Sequence, residues 1–223
     1  MSASRPTPKT IARERRTRVE GRAAPPFRVA SAGTAREFGL VGSVSFPVPR
    51  DSRENTRFVK RLHILRHAKS SWDDPDLADH ERPLAPRGER AAVLIAEHVR
   101  REGIAPELVL CSTALRARQT LAALLPVVAG DVEIRLEEAL YGAGVEAVLG
   151  RLRAVDDAVC SVLVIGHNPT LHELALALTA GEEELERFPT GALASLTFAT
   201  SWADLAEGGA ELDAVVLPSQ LDG

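Results

Sequence analysis

Two histidines and two arginines follow apolar runs that are far apart in the chain. Arg66 and His67 follow LHIL, Arg116 comes shortly after ELVLC, and His167 ends the run SVLVIGH. The planar fork of arginine N–H donors matches phosphate oxygens. A neutral imidazole is a nucleophile, and nearby guanidinium groups keep a histidine neutral by lowering its pKa. The pattern predicts that His67 attacks phosphorus, that His167 donates to a phosphate oxygen, and that water then removes the covalent phosphohistidine.

These side chains can meet only if the apolar runs are neighbouring parallel strands of one sheet. Apolar runs alternate with amphipathic segments from residue 58 onward, including a helix predicted over 85–103 that ends at Gly103. Such alternation is typical of an α/β protein whose mostly parallel central sheet carries helices on both faces. Ligands bind at the carboxyl ends of the strands in such sheets. The sequence therefore predicts a three-layer sandwich with the four residues at that edge.

Helix boundaries place further polar residues near the same edge. In NPTLHELALALTAG, Asn168 is predicted as the N-cap, Pro169 as the first helical residue and Gly181 as the residue just past the end. The N–H groups that begin this helix would favour an anion. Ser112 and Thr113 are predicted to cap the helix that carries Arg116.

Residues 1–57 differ in composition from the rest of the chain. They carry 12 Lys+Arg against 5 Asp+Glu, a net charge of +7, whereas the remainder carries 15 against 26, a net charge of −11. The segment shows little periodicity and is predicted to be a disordered basic tail. Three interpretations stay open: an inert tail or a start of translation near residue 58, a targeting segment, and an arm that touches nucleic acid or anionic lipid.

Composition excludes several classes of protein. A net charge of −4 argues against a dedicated nucleic-acid binder, so nucleic acid stays a candidate partner only through the tail. No apolar run approaches the roughly 20 residues of a membrane span. Cys111 and Cys160 are too few for a disulfide framework or a zinc site. We therefore expect a protein of the cytoplasm, a reducing compartment, with no membrane partner, no metal and no cofactor.

Four motifs resemble those of the histidine phosphatase superfamily and occur in the same order. LRHAKS is similar to the Arg-His-Gly signature, with Ala68 in the glycine position, and CSTALRARQT and VIGHNP are similar to the second and third motifs. ERPLAPRG resembles the Arg-Pro-Leu-(Thr/Ser)-x-x-Gly stretch of SixA-like phosphohistidine phosphatases. The resemblance covers roughly residues 60–200. It implies a phosphoglycerate mutase-like domain over 58–223.

The resemblance also implies roles for individual residues. His67 matches the nucleophile, and Arg66, Arg116 and His167 match the remainder of the phosphate pocket. Arg82 matches an additional pocket arginine of the SixA-like branch. Lys69 and Ser70, which follow the nucleophile directly, are candidates for the mouth of the pocket.

The acid for the leaving group is the least determined part of the site. Glu138 in EALYG matches the glutamate that precedes Tyr-Gly in mutases and ester phosphatases of this superfamily. An alkoxide needs a proton from a general acid, whereas imidazole leaves readily from a P–N bond. A requirement for Glu138 would therefore distinguish an ester phosphatase from a phosphohistidine phosphatase. Glu138 is only a candidate catalytic residue.

We expect a metal-independent phosphatase that acts on phosphohistidine in a protein. The domain is short, and little sequence lies between Arg66 and Arg116 to build a lid over a small metabolite. Two alternatives stay open. One is a phosphatase of small phosphate esters with Glu138 as its acid, and the other is a phosphate-binding module without turnover.

Overall fold

The computed structural model describes residues 59–128 and 130–222. The predicted tail over 1–57 and its boundary with the domain lie outside the described residues. In the described part, no helix is both long and apolar enough to cross a bilayer.

A single six-stranded sheet forms the centre of the described domain. Its strands are β1 (Lys60–Arg66), β2 (Leu108–Ser112), β3 (Glu133–Glu137), β4 (Ser161–Gly166), β5 (Leu193–Phe198) and β6 (Glu211–Val216). The order across the sheet is β3-β2-β4-β1-β5-β6. The first four strands are mutually parallel, and β5 runs antiparallel to both β1 and β6. The predicted mostly parallel sheet is therefore confirmed.

The register brings the ends of three parallel strands to one edge. Arg66 at the end of β1 pairs with Gly166 at the end of β4, and Cys111 in β2 pairs with Ile165. The residues that follow these strands therefore emerge side by side, as the sequence predicts.

Helices cover both faces of the sheet. They are α1 (Pro86–Arg101), α2 (Leu115–Leu124), α3 (Val145–Arg153), α4 (Thr170–Leu178) and the short α5 (Pro218–Leu221). Side chains of α1 and α2 pack with Leu65 of β1, whereas side chains of α3 and α4 pack with Leu62 and Ile64 on the opposite face. Successive strand residues point to opposite faces, and each buried leucine contributes about 1.5–3 kcal/mol. The three-layer sandwich is confirmed.

One predicted helix boundary is wrong and another is confirmed. Pro169 occupies the N-cap position of α4, and Asn168 does not cap the helix. The Asn168 amide nitrogen instead donates to the carbonyl oxygen of Phe188 at 2.9 Å, so this side chain holds a neighbouring loop. Past the end of α4, Gly181 has a φ of +88° and its N–H donates to the carbonyl of Leu176. This is a left-handed helix ending, and its first left-handed residue is Ala180, with a φ of +58°.

Candidate active site

His67 follows the last residue of β1, and its ring is held in one orientation. The side chain is 7% exposed, and its Nδ1 lies 2.7 Å from the carbonyl oxygen of Ala68. A carbonyl only accepts hydrogen bonds, so the proton of the neutral ring sits on Nδ1. Nε2 therefore carries the lone pair, to which Nε of Arg116 donates at 3.3 Å, and is the nucleophilic atom.

The surroundings of His67 keep its ring neutral. Burial has the largest effect, and the neighbouring His167, Arg116 and Arg66 add to it. Together they outweigh the Ala68 hydrogen bond and lower the pKa of His67 to about 3. Each of these neighbours disfavours a positive charge on the ring. The imidazole is therefore ready for attack throughout the physiological pH range.

His167 follows β4 and faces His67, with the ring centroids 4.9 Å apart. Its Nε2 lies 2.8 Å from the hydroxyl of Ser112, and its Nδ1 lies 3.4 Å from Nη2 of Arg116. Burial, followed by the charge of Arg116, lowers the pKa of His167 to about 4. The convergence of the two histidines that the sequence predicts is present in the structure.

Neither Ser112 nor Thr113 caps α2, because both side chains serve other partners. The N-cap position is Ala114, and no side-chain cap is made there. The Ser112 hydroxyl lies against His167, and the Thr113 hydroxyl lies 3.0 Å from Nε2 of His80. The predicted capping role was wrong for both residues.

Arg116, in the first turn of α2, connects the two histidines. Its Nε lies 3.3 Å from Nε2 of His67, and its Nη2 reaches His167. One turn later, the hydroxyl of the buried Thr120 accepts from the N–H of Ala68 at 3.0 Å and donates to the carbonyl of Arg116 at 2.7 Å. Thr120 therefore ties the backbone beside the nucleophile to the helix that presents the arginine.

Arg66 has no ion-pair partner in the described part of the chain, so no carboxylate there balances its positive charge. Its Nη1 donates to the carbonyl of Phe188 at 2.9 Å, and its buried Nε has no partner among the described residues. Burial alone lowers its pKa. A partly buried cation of this kind is expected where an anion binds.

Arg82 is heavily engaged by neighbouring groups of the protein. Nε donates to the carbonyl of Ser71 and Nη2 to the hydroxyl of Ser70, both at 2.9 Å. The guanidinium also lies over the ring of Trp72, 3.1 Å from its centroid. Ser70 is buried and positions Arg82, whereas the side chain of Lys69 is exposed.

Asp79 is a site residue that the sequence patterns did not indicate. Its Oδ1 accepts from Arg82 and its Oδ2 from Arg116, both at 2.8 Å, and the hydroxyl of Tyr141 donates to Oδ2 at 2.8 Å. Partial burial opposes ionisation, but the hydrogen bonds from Tyr141, Arg116 and Arg82 lower the pKa of Asp79 to about 2. Its only sequence signal is its position three residues before Arg82.

Glu138 does not join this network among the described residues. It begins a 3-10 turn (Glu138–Leu140), and its side chain is exposed. No hydrogen bond or ion pair of this carboxylate is present in the described part of the chain. Its role as a leaving-group acid stays a prediction.

Comparison with known proteins agrees with the fold. Residues 62–146 match the model of the histidine phosphatase superfamily, branch 1. An uncharacterised protein of Mycobacterium tuberculosis is 44% identical over 156 residues, covering 66% of this chain and 96% of the relative. The phosphohistidine phosphatase SixA of Escherichia coli is 34% identical over 143 residues, covering 61% of this chain and 84% of SixA.

A solved structure shows the same architecture. The protein histidine phosphatase SixA, complexed with tungstate, superimposes with a TM-score of 0.63 at 29% identity. The match covers 73% of this chain and 99% of that one. The ordered motifs, the facing histidines and these similarities lead to one conclusion: the chain belongs to the histidine phosphatase superfamily.

Proposed function

We propose that this phosphatase hydrolyses phosphohistidine carried by a protein, through a covalent intermediate on Nε2 of His67. The observation that carries the proposal is that Nε2 is unprotonated and lies beside a guanidinium. Its ring proton is fixed on Nδ1 by the Ala68 carbonyl, and its lone pair lies 3.3 Å from Nε of Arg116. A nucleophile beside a phosphate-binding guanidinium is the arrangement that phosphoryl transfer needs.

In the first step, the Nε2 lone pair of His67 forms a bond to phosphorus. The bond between phosphorus and the substrate nitrogen breaks, and its electron pair stays on that nitrogen. His67 keeps the proton on Nδ1, so its ring becomes a cation, which the Ala68 carbonyl stabilises. We expect Arg66, Arg116 and His167 to bind the equatorial oxygens, where charge accumulates.

In the second step, water attacks phosphorus and the bond to Nε2 breaks. The electron pair returns to His67, which leaves as the neutral ring with its proton still on Nδ1. Inorganic phosphate carries the new oxygen, and the surplus proton passes to phosphate or solvent. The nucleophile needs no proton transfer in either step, which suits a histidine whose pKa is lowered to about 3.

The carboxylates around the pocket favour a P–N bond over a P–O ester bond as the substrate. Asp79 is held ionised by its three donors, and the Glu138 side chain is exposed, so neither is arranged to protonate an alkoxide. A phosphohistidine ring that is protonated on its other nitrogen leaves as neutral imidazole without such help. The similarity to SixA phosphatases supports the same substrate class.

Turnover of a phosphohistidine peptide beside a panel of aryl and alkyl phosphates tests the proposal. We expect phosphohistidine to be the preferred substrate and His67→Ala to abolish its hydrolysis. An alkaline quench should trap a phosphoenzyme in the wild type but not in His67→Ala. His98→Gln is the matched control, since the polar partners of His98 are Arg101 and Glu102 at the end of α1, and it should retain activity. Preference for alkyl phosphates, or turnover by His67→Ala, would contradict the proposal.

A further inference from the structure

The Asp79 carboxylate is separated from the nucleophile by a single guanidinium. Oδ2 of Asp79 lies 2.8 Å from Nη2 of Arg116, and Nε of the same group lies 3.3 Å from Nε2 of His67. Among the described residues, Asp79 is also the one carboxylate that hydrogen-bonds to either Arg116 or Arg82. A phosphoryl group that binds Arg116 beside His67 is therefore one guanidinium away from this carboxylate.

Asp79 retains capacity for a ligand. A carboxylate has about four acceptor positions. Arg82 occupies one position on Oδ1, and Arg116 and Tyr141 occupy both positions on Oδ2. One position on Oδ1 is therefore free among the described residues, and the side chain is 49% exposed.

The donors around Asp79 also determine its protonation state, and therefore its role in hydrogen bonding. Two guanidinium groups and a phenol keep the carboxylate ionised, so it accepts hydrogen bonds and has no proton to give. An ionised acceptor at the pocket rim discriminates between leaving groups. It stabilises one that carries an N–H and a positive charge, and it repels one that is anionic.

We infer that Asp79 determines specificity by accepting the N–H of the cationic imidazole ring of phosphohistidine. The inference rests on the proposed function. A ring phosphorylated on one nitrogen carries a proton on the other nitrogen only when it is a cation. Once the P–N bond breaks, its electron pair returns to the first nitrogen. The product is then neutral imidazole, which keeps that N–H, and no proton leaves or reaches Asp79.

A purely structural role for Asp79 makes a different prediction. If the carboxylate only oriented the arginines, its loss would slow all substrates equally. Arg116 would still bond to the backbone carbonyl of Asp79, and Arg82 would keep Ser71 and Ser70. The orientation of both guanidinium groups therefore has support besides the carboxylate charge.

The test compares kcat/KM for a phosphohistidine peptide and for p-nitrophenyl phosphate, whose leaving group has no N–H. Asp79→Asn should lower the phosphohistidine value about tenfold or more relative to the aryl value, which is the loss of one charge-assisted hydrogen bond. The difference should appear at pH 6 and shrink as the pH rises through the pKa of the substrate ring, because the neutral ring has no N–H to donate.

Asp73→Asn is the matched control. It removes the same charge from the same segment between β1 and α1, and the Asp73 carboxylate has no hydrogen bond or ion pair among the described residues. For Asp73→Asn, the ratio of kcat/KM for the phosphohistidine peptide to kcat/KM for p-nitrophenyl phosphate should stay within about twofold of the wild-type ratio. Asp79→Ser is a second neutral variant if Asp79→Asn does not fold.

Two outcomes would overturn the inference while leaving the proposed function intact: equal losses on both substrates, or an unchanged ratio at pH 6. Wild-type enzyme that hydrolyses only esters would overturn the proposed function, and this inference with it.

Discussion

Gly88 lies so close to Lys69 that a β-carbon at Gly88 would lie 2.0 Å from the Lys69 carbonyl oxygen. The same oxygen accepts a hydrogen bond at 2.9 Å from the N–H of Ala85, at the start of α1. The helix therefore packs directly against the backbone that follows the nucleophile. This contact explains the glycine of ERPLAPRG in physical terms, because only a residue without a β-carbon fits there.

Gly88→Ala should destabilise the protein by about 1–3 kcal/mol, the usual effect of overpacking. Lys69 is the obstacle through its backbone, which cannot rotate away as a side chain would. Gly150→Ala is the matched control. Gly150 lies inside α3 with nothing within 4 Å of an added β-carbon, so this change should stabilise by about 0.5–1 kcal/mol. Urea denaturation measures both, and effects of the same sign would contradict the packing argument.

Thr120→Val should lower both stability and kcat. The substitution keeps the shape of the side chain but leaves the buried N–H of Ala68 without its acceptor, which costs about 1–3 kcal/mol. It also frees the backbone beside His67. Thr179→Val is the control, because the buried Thr179 hydroxyl only donates to Ala175 within its own helix and should change stability by about 0.5 kcal/mol or less. Equal effects in the two variants would exclude the bridging role of Thr120.

Stability should fall steeply as the pH drops below 6.5. Burial, followed by the charge of Arg61, lowers the pKa of His63 to about 4, and the pKa of His67 is about 3. Because both values lie below the unfolded value of about 6.5, the unfolded chain binds more protons than the native state in this range. Each histidine should therefore remove about 2 kcal/mol between pH 6.5 and pH 5.

Urea denaturation at the two pH values measures this loss. His63→Gln should flatten the pH dependence by about 2 kcal/mol, the share of one histidine. Asp79 acts in a lower window, because its depressed pKa of about 2 makes its contribution disappear only well below pH 5. Stability that does not change between pH 6.5 and pH 5 would show that the two imidazoles are not buried as neutral rings.

Glu138→Gln should leave kcat/KM for both phosphohistidine peptide and aryl phosphate within about twofold, as for other exposed side chains without partners. The comparison needs both substrates in one assay, with Asp79→Asn measured alongside. A selective loss of ester hydrolysis in Glu138→Gln would instead establish Glu138 as a general acid and favour the ester phosphatase alternative.

The order of strands and helices could be predicted because buried apolar residues repeat with the period of each element. The meeting of His67, Arg116 and His167 could be predicted for a related reason. Parallel strands end at one edge of a sheet, so the residues that follow them become neighbours whatever their separation in the chain.

Sequence periodicity does not predict which loop residues reach the site. Asp79 and Tyr141 reach the site from segments whose path no apolar period encodes. Ser112 and Asn168 show a second limit, because a short polar side chain at a helix start fits a cap and a tertiary contact equally well. Spacing cannot choose between these roles; in this structure, the proximity of His167 and of the Phe188 carbonyl decides them.

The stacking of Arg82 on Trp72 gives the pocket a fluorescence signal of its own. The chain has two tryptophans, and the other, Trp202, is fully buried with its indole N–H bound to the carbonyl of Val159. Trp72 is 71% exposed, and among the described residues the charged group on its ring face is the guanidinium that also holds Asp79. An anion that draws Arg82 away should change the emission of Trp72 while Trp202 stays constant, so ligand titrations need no added dye.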